Sequence, residues 1–213
     1  MIAKPIEGFA SKGVFFVRNW NEALAFAERE GYLFQEYLGP ADAMDAYFAF
    51  LDGPKPLFAE APNVNHHTCH IPISPAGEIG EIFVLRNHHN FGAVTRLQRV
   101  DHPELATLAR AFAEAFVAEG GFGPLSVQFR LDRQGRHKAQ EMNLRTTGST
   151  FPRLMMGQDE IGYIVRDLLP DRRFPLYQKP EPAYGLIVSK SLYSHSILES
   201  QMAALNEAGH WQP

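Results

Sequence analysis

At 213 residues, with 45% hydrophobic and 21% charged side chains, the chain has the balance of a folded globular protein of one large or two small domains. A net charge of −4 without long basic runs does not suggest a nucleic-acid footprint, and no run approaches the roughly 18 apolar residues that span a bilayer, so neither a nucleic-acid nor a membrane partner is expected. One cysteine, Cys69, excludes an internal disulfide framework, and the start MIAKPIEGF shows no secretory pattern, so we expect a cytoplasmic protein.

In chain order, residues 2–4 read as a short strand, followed by a small-residue loop, EGFASKG, over 7–13 and an apolar strand over 14–17. Asn19 or Asn21 caps a helix that carries Trp20, Leu24 and Ala27 on one face and ends at Gly31. Residues 32–38 read as a strand stopped by Gly39-Pro40, and the aromatic-rich 44–51 as another, closed by Asp52-Gly53-Pro54. The span 55–100 holds two or three antiparallel strands, the clearest over 81–87.

Asp101 and Glu104, three apart around Pro103, form a capping-box start. Leu105, Leu108, Ala109, Phe112 and Phe116 then recur at helical spacing up to Gly120-Gly121. Residues 125–131 form a strand, 132–135 a turn and His137–Asn143 a returning strand. A helix over about 159–169 stops at Pro170, and the tail holds a strand over 184–189 and a helix near 197–206. The class is α+β with mainly antiparallel sheets.

The hairpin carries the clearest chemistry. Side chains at i and i+2 of a strand share a face, so Glu141 and Asn143 project together. With a turn over 132–135, Leu131 opposes Arg136 and Gln128 opposes Ala139, which brings Gln128 and Arg130 to the same face. Gln128, Glu141 and Asn143 are hard oxygen ligands, and Mg²⁺ completes such a set with phosphates and water. Arg145, just beyond, offers a planar fork of donors to a phosphate. A merely wetted polar face explains the hairpin alone. Lys4 beside a loop with Gly8, Ala10, Ser11 and Gly13, whose backbone can approach phosphates, tips the balance.

The order KPIEGFASKGV, FQEYLG, VQFRLD, QEMNLRTTGS resembles the ATP-grasp superfamily, with VQF and E-x-N-x-R most similar to the carbamoyl-phosphate synthase large chain and related carboxylate-amine ligases. The match runs from residue 1 to about 170. The resemblance implies two α+β subdomains with the nucleotide between them: 1–38 as the remainder of the small subdomain, 39–175 as the large one, and 176–213 as a C-terminal extension. It implies ATP with Mg²⁺, or Mn²⁺ in its place.

By the same resemblance, Lys4 holds ATP phosphates, Gly8, Ser11 and Gly13 belong to the closing loop, and Glu36, Tyr37 and Leu38 form the strand that holds adenine. Asp42 or Asp45 stands for the ribose-binding acid. Gln128, Glu141 and Asn143 are the metal ligands, and Arg145 stabilises the transferred phosphate. The implied chemistry is ATP-driven activation of a small carboxylate as an acyl-phosphate, displaced by an amine or other nucleophile. Relatives carry a preceding α/β domain and a further ATP-binding basic residue ahead of the lysine strand. The implied partner is therefore a separate N-terminal chain or a second copy, and the alternative to a ligase is a non-catalytic nucleotide-binding subunit or a remnant.

Other signals weigh less. In HHTCH, strand alternation sends His66 and His70 to one face and His67 and Cys69 to the other, short of a four-ligand zinc set, so we expect solvated strand histidines. His88 and His89 point apart. Arg86, Arg96 or Arg99 can bind a substrate carboxylate, and surface roles are the simpler reading. Cys69 has no partner base nearby in sequence and is not assigned as a nucleophile.

Overall fold

A computed structural model describes residues 1–8, 12–52, 66–90, 93–169, 184–190 and 194–209. The chain divides into two compact units: residues 1–62 with 131–136, and residues 63–130 with 137–213.

In the first unit, β1 (Ile2–Pro5), β2 (Phe15–Phe16) and β3 (Tyr32–Gln35) form an antiparallel sheet in the order β2-β1-β3. Successive β1 residues face opposite ways. Ala3 packs with Val17, Ala23 and Phe26 toward α1 (Trp20–Ala27). Ile2 packs with Phe16, Tyr37, Tyr47, Phe48 and Leu51 toward α2 (Ala41–Asp52). A helix thus covers each face of the small sheet.

Two expectations are corrected in this unit. The span 44–51 is helical, within α2. Its aromatics suggested a strand, but Ala41, Ala43, Ala46 and Ala49 favour helix, Asp42 sits in the first turn, and Tyr47, Phe48 and Leu51 have helical spacing. The Asn19 cap holds, its side chain accepting from the Glu22 amide at 3.0 Å. The buried stripe of α1, however, passes through Ala23 and Phe26, while Trp20 and Leu24 are 72% and 49% exposed.

The second unit is built on a seven-stranded antiparallel sheet: β4 (His66–Ile73), β5 (Phe83–Asn90), β6 (Ala93–Arg99), β7 (Gly123–Leu131), β8 (His137–Asn143), β9 (Leu186–Lys190) and β10 (Ser194–Leu198), in the order β10-β9-β6-β5-β4-β7-β8. One face carries Cys69, Ile71, Leu125, Val127 and Phe129 against Leu105, Ala109 and Ala113 of α3 (Pro103–Ala118). On the other, Phe83, Leu85, Leu97 and Val188 pack with Met155 and Met156 at the end of α4 (Thr150–Met155).

Asp159 caps α5 (Glu160–Leu168), accepting from the Gly162 amide at 2.8 Å. The N-cap of α3 is His102 rather than Asp101, its ring accepting a long 3.5 Å contact from the Leu105 amide. A helix, α6 (Glu199–Ala208), closes the described tail. Strand β4 lies between β5 and β7, which explains a continuous buried run where one-sided alternation was expected. No helix among the described residues is long and apolar enough to cross a membrane.

Candidate functional site

The β7–β8 turn sets the geometry of the candidate metal group. The Asp132 amide donates to the Arg136 carbonyl at 2.8 Å, and the Gly135 amide to the Asp132 carbonyl at 3.0 Å. Gly135 takes φ 75°, a left-handed conformation that adds a residue to the turn. Arg136 therefore faces Asp132, not Leu131, and the expected register is off by one. Ala139 accordingly packs in the apolar cluster with Val127 and Phe129.

The polar group stands on direct contacts instead. Glu141 Oε1 accepts from Asn143 Nδ2 at 2.6 Å, and Gln128 Nε2 makes a long 3.5 Å contact with the same oxygen. Two amide side chains thus meet at one carboxylate. Turning an amide by half a rotation presents oxygen where nitrogen now stands, so the donor set fits a hard divalent cation.

Behind Gln128 lies a histidine pair that sequence reasoning placed in solvent. Thr68 pairs with Gln128 in register, so Gln128 shares the sheet face of His66, Thr68 and His70. His66 is 5% exposed; its Nε2 lies 3.1 Å from Gln128 Oε1, and its ring stacks on His89 at a centroid distance of 4.4 Å. Burial, followed by the Arg130 charge, lowers the pKa of His66 to about 3 and of His89 to about 4. A neutral imidazole can donate or accept depending on its tautomer, so His66 can support either orientation of the Gln128 amide. The sequence signal was the HHTCH run itself, whose pairing partners were not readable.

The whole run is buried, from His66 to His70, which corrects the solvated reading. Burial pushes the Cys69 thiol up to about 12. His70 holds Ser149 Oγ at 3.2 Å, and burial followed by the Arg153 charge keeps the His70 pKa well below 6.5. Arg153 is fully buried, paired with Glu160 at 2.6 Å and bonded to Gln158 at 2.8 Å. Thr150 Oγ1 donates to the same Glu160 oxygen at 2.7 Å. This network fixes the start of α4, and with it the end of the loop that carries Arg145. Arg145 itself is exposed, its Nη1 donating to the Thr146 carbonyl at 3.0 Å.

Among the other arginines, Arg99 pairs with Glu81 at 2.6 Å and lies over the rings of Phe83 and Tyr184, and Arg96 is 3.3 Å from His88. Both are occupied in ways that suit structure.

The remaining candidates lie in the first unit. Lys4 is on β1, opposite Leu33 of β3. Gly8 is exposed, and Gly13 has φ 75°, where an added Cβ would meet Tyr32 Oη at 2.9 Å. Ser11 lies outside the described residues. β3 ends at Gln35, so Glu36, Tyr37 and Leu38 follow the strand instead of belonging to it. Glu36 is exposed, whereas Tyr37 and Leu38 are buried, Tyr37 stacked on Tyr47. Asp45 pairs with Arg133 at 2.6 Å, and Asp42, in the first turn of α2, is exposed.

No family model matches the chain, and no curated protein does. Solved structures do match. N5-carboxyaminoimidazole ribonucleotide synthetase from Thermus thermophilus gives a TM-score of 0.57 at 16% identity, over 88% of this chain and 45% of its own. N5-carboxyaminoimidazole synthetase from Staphylococcus aureus, complexed with ADP, gives 0.56 at 12% identity, over 88% and 44%. The biotin carboxylase domain dimer of Hydrogenobacter thermophilus 2-oxoglutarate carboxylase, in complex with MgADP, ADP and bicarbonate, gives 0.55 at 14% identity, over 89% and 40%. At these identities the likeness is one of fold, and the chain spans less than half the length of each of these structures.

Proposed function

Because this chain has the α+β ATP-grasp fold, as do the solved structures it matches, we propose that it binds Mg-ATP and serves as the nucleotide-binding part of an ATP-dependent ligase. The observation that carries this reading is the meeting of Gln128 and Asn143 on the Glu141 carboxylate, at 3.5 and 2.6 Å. Two of the matched structures hold ADP, one of them as MgADP, which supports the nucleotide and the metal.

Bound Mg²⁺, or Mn²⁺ in its place, would bridge nucleotide phosphates and offset their charge. Glu141 supplies the anionic ligand, and Gln128 and Asn143 supply neutral oxygens. His66 contacts the Gln128 amide from a buried position and accommodates either orientation of it. Lys4 and the loop with Gly8, Ser11 and Gly13 are the proposed phosphate contacts, residues 36–38 the proposed adenine contact, and Asp42 the ribose contact. Arg145 is the proposed catalytic residue. Its planar fork would stabilise charge as phosphate moves to a small carboxylate, forming an acyl-phosphate that an amine or other nucleophile displaces.

A second reading is a nucleotide-binding subunit that acts with a separate chain or a second copy. ATP turnover by the chain alone, against turnover only with an added partner, separates the two.

Titration calorimetry with a non-hydrolysable ATP analogue, with and without Mg²⁺, tests the common core. Binding that requires Mg²⁺ in the wild type and is lost in Glu141→Ala is the expected result. Equal, metal-independent affinity in both proteins would remove the hairpin from the site.

A further inference from the structure

A second constellation lies on the α3 side of the same sheet. Cys69 packs against α3, and His67, two residues earlier on β4, shares that face, whereas Gln128 shares the face of Thr68. Three imidazoles gather there. The ring of His102 stands edge-on to that of His137, with centroids 4.9 Å apart and planes at 86°. The His67 ring lies 5.4 Å from His102 and 5.7 Å from His137, again edge-on to both.

A carboxylate completes the group. Glu104 Oε1 comes within 3.2 Å of His137 Nδ1, and one ligand atom from each of His102, Glu104 and His137 lies within 4.8 Å of the other two. The close approach of Glu104 to His137 lacks hydrogen-bond geometry.

We propose that His102, Glu104 and His137, with His67 as the fourth ligand, form a Zn²⁺ site. Imidazole nitrogen and carboxylate oxygen are zinc ligands, and four of them satisfy its tetrahedral preference. Zinc bonds of about 2.0–2.1 Å at tetrahedral angles put ligand atoms roughly 3.3 Å apart. The atoms of His102, Glu104 and His137, within 4.8 Å of one another, draw together by side-chain rotation, and His67, its ring 5.4 and 5.7 Å from the other two imidazoles, turns in as the fourth. Glu104, 60% exposed, gives the ion its way in, while the His137 side chain is 8% exposed and His67 4%. His102 ligates through one ring nitrogen while the other carries the proton. The interaction it would surrender for this is the 3.5 Å contact from the Leu105 amide, which is beyond normal hydrogen-bond length.

The ligands come from three elements: β4, the start of α3 and the start of β8. A closed site ties these together without touching the nucleotide-side hairpin group, so its role is structural. The reading does not depend on the proposed function, because none of its four residues is assigned there.

The test uses the full chain, freed of any affinity tag and stripped with a chelator, then titrated with Zn²⁺ by calorimetry and with Co²⁺ by visible absorption. One Zn²⁺ per chain is expected, with the strong bands of tetrahedral Co²⁺. Glu104→Gln should weaken binding by roughly tenfold or more, and His102→Ala should abolish it. Glu141→Ala should bind as the wild type does. Glu104→Gln alters an exposed side chain, so it keeps the test valid even if His102→Ala does not fold. No binding in the wild type, equal binding in Glu104→Gln, or binding lost in Glu141→Ala would each overturn the site, the last by assigning the metal to the hairpin.

Discussion

Asn143 Nδ2 donates to Glu141 Oε1 at 2.6 Å, two residues along the same strand. The carboxylate therefore already holds a neutral donor where a cation would sit, and metal binding requires the Asn143 amide to turn its oxygen inward.

This exchange separates charge from shape. Glu141→Gln keeps the side-chain volume and removes the charge, so it should raise the dissociation constant of Mg-nucleotide by roughly tenfold or more, about 1.4 kcal/mol. Melting temperature should stay near the wild type, since Glu141 is exposed. Calorimetry with and without Mg²⁺ reads the effect. An unchanged Mg²⁺ dependence would mean that the ligands lie elsewhere.

Arg153 and Glu160 form the most deeply buried ion pair among the described residues, at 0% and 5% exposure. Removing one partner leaves the other charged and dry. Glu160→Ala should cost about 3–5 kcal/mol, read from urea denaturation midpoints, whereas replacing both by apolar residues of similar volume should recover much of that loss. A single-variant cost below about 1 kcal/mol would show that water reaches Arg153.

Acid should destabilise the fold through His70. Burial and the Arg153 charge keep His70 neutral well below 6.5 in the native chain, while the unfolded chain takes up a proton near that value. Stability is therefore at its level above pH 6.5 and declines as pH falls below it, by about 1.4 kcal/mol per pH unit for one proton. His66, His88 and His89, also lowered, steepen the decline. Denaturation of wild type and His70→Asn between pH 7 and about pH 5 isolates one proton's share. Parallel curves would exclude His70 as its source.

Gly135 holds the left-handed position of the β7–β8 turn at φ 75°, with open space where a Cβ would stand. Gly135→Ala should therefore cost about 1–2 kcal/mol from backbone conformation alone, and Gly135→Asn less. Chemical denaturation of both variants checks the order. An Ala variant as stable as the wild type would mean that the turn relaxes to another form.

Cys69 is 0% exposed. A thiol reagent should label the native chain only at the rate of its opening, and label it fully in denaturant. Fast labelling of the folded protein would show that β4 and α3 separate readily.

What could be read from the sequence follows the range of the interactions involved. The β7–β8 hairpin was legible because alternation and a Gly-containing turn are local, but the added residue at Gly135 shifted the register, so the approach of Gln128 to Glu141 rests on the contact itself and not on the alternation first used to infer it. Helix α2 was misread because Tyr47, Phe48 and Phe50 favour strands by composition, while the packing of Tyr47 and Phe48 against Phe16 appears only once β2 is in place. The burial of His66 and His70 depends on β5 and β7 flanking β4, pairings that join His66 to Asn87 and Thr68 to Gln128. The gathering of His67, His102 and His137 needs three separate elements, and no local pattern reports it.

The turn over residues 131–136 belongs with the first unit, held there by Arg133 on Asp45, although its flanking strands belong to the second. The first unit is thus interrupted in the chain. During synthesis its leading segment emerges before residues 63–130, and the piece that completes it arrives only after them. Cutting the gene at residue 62 would not yield two self-sufficient halves: one would lack its last segment, and the other would carry a hairpin tip without its anchor.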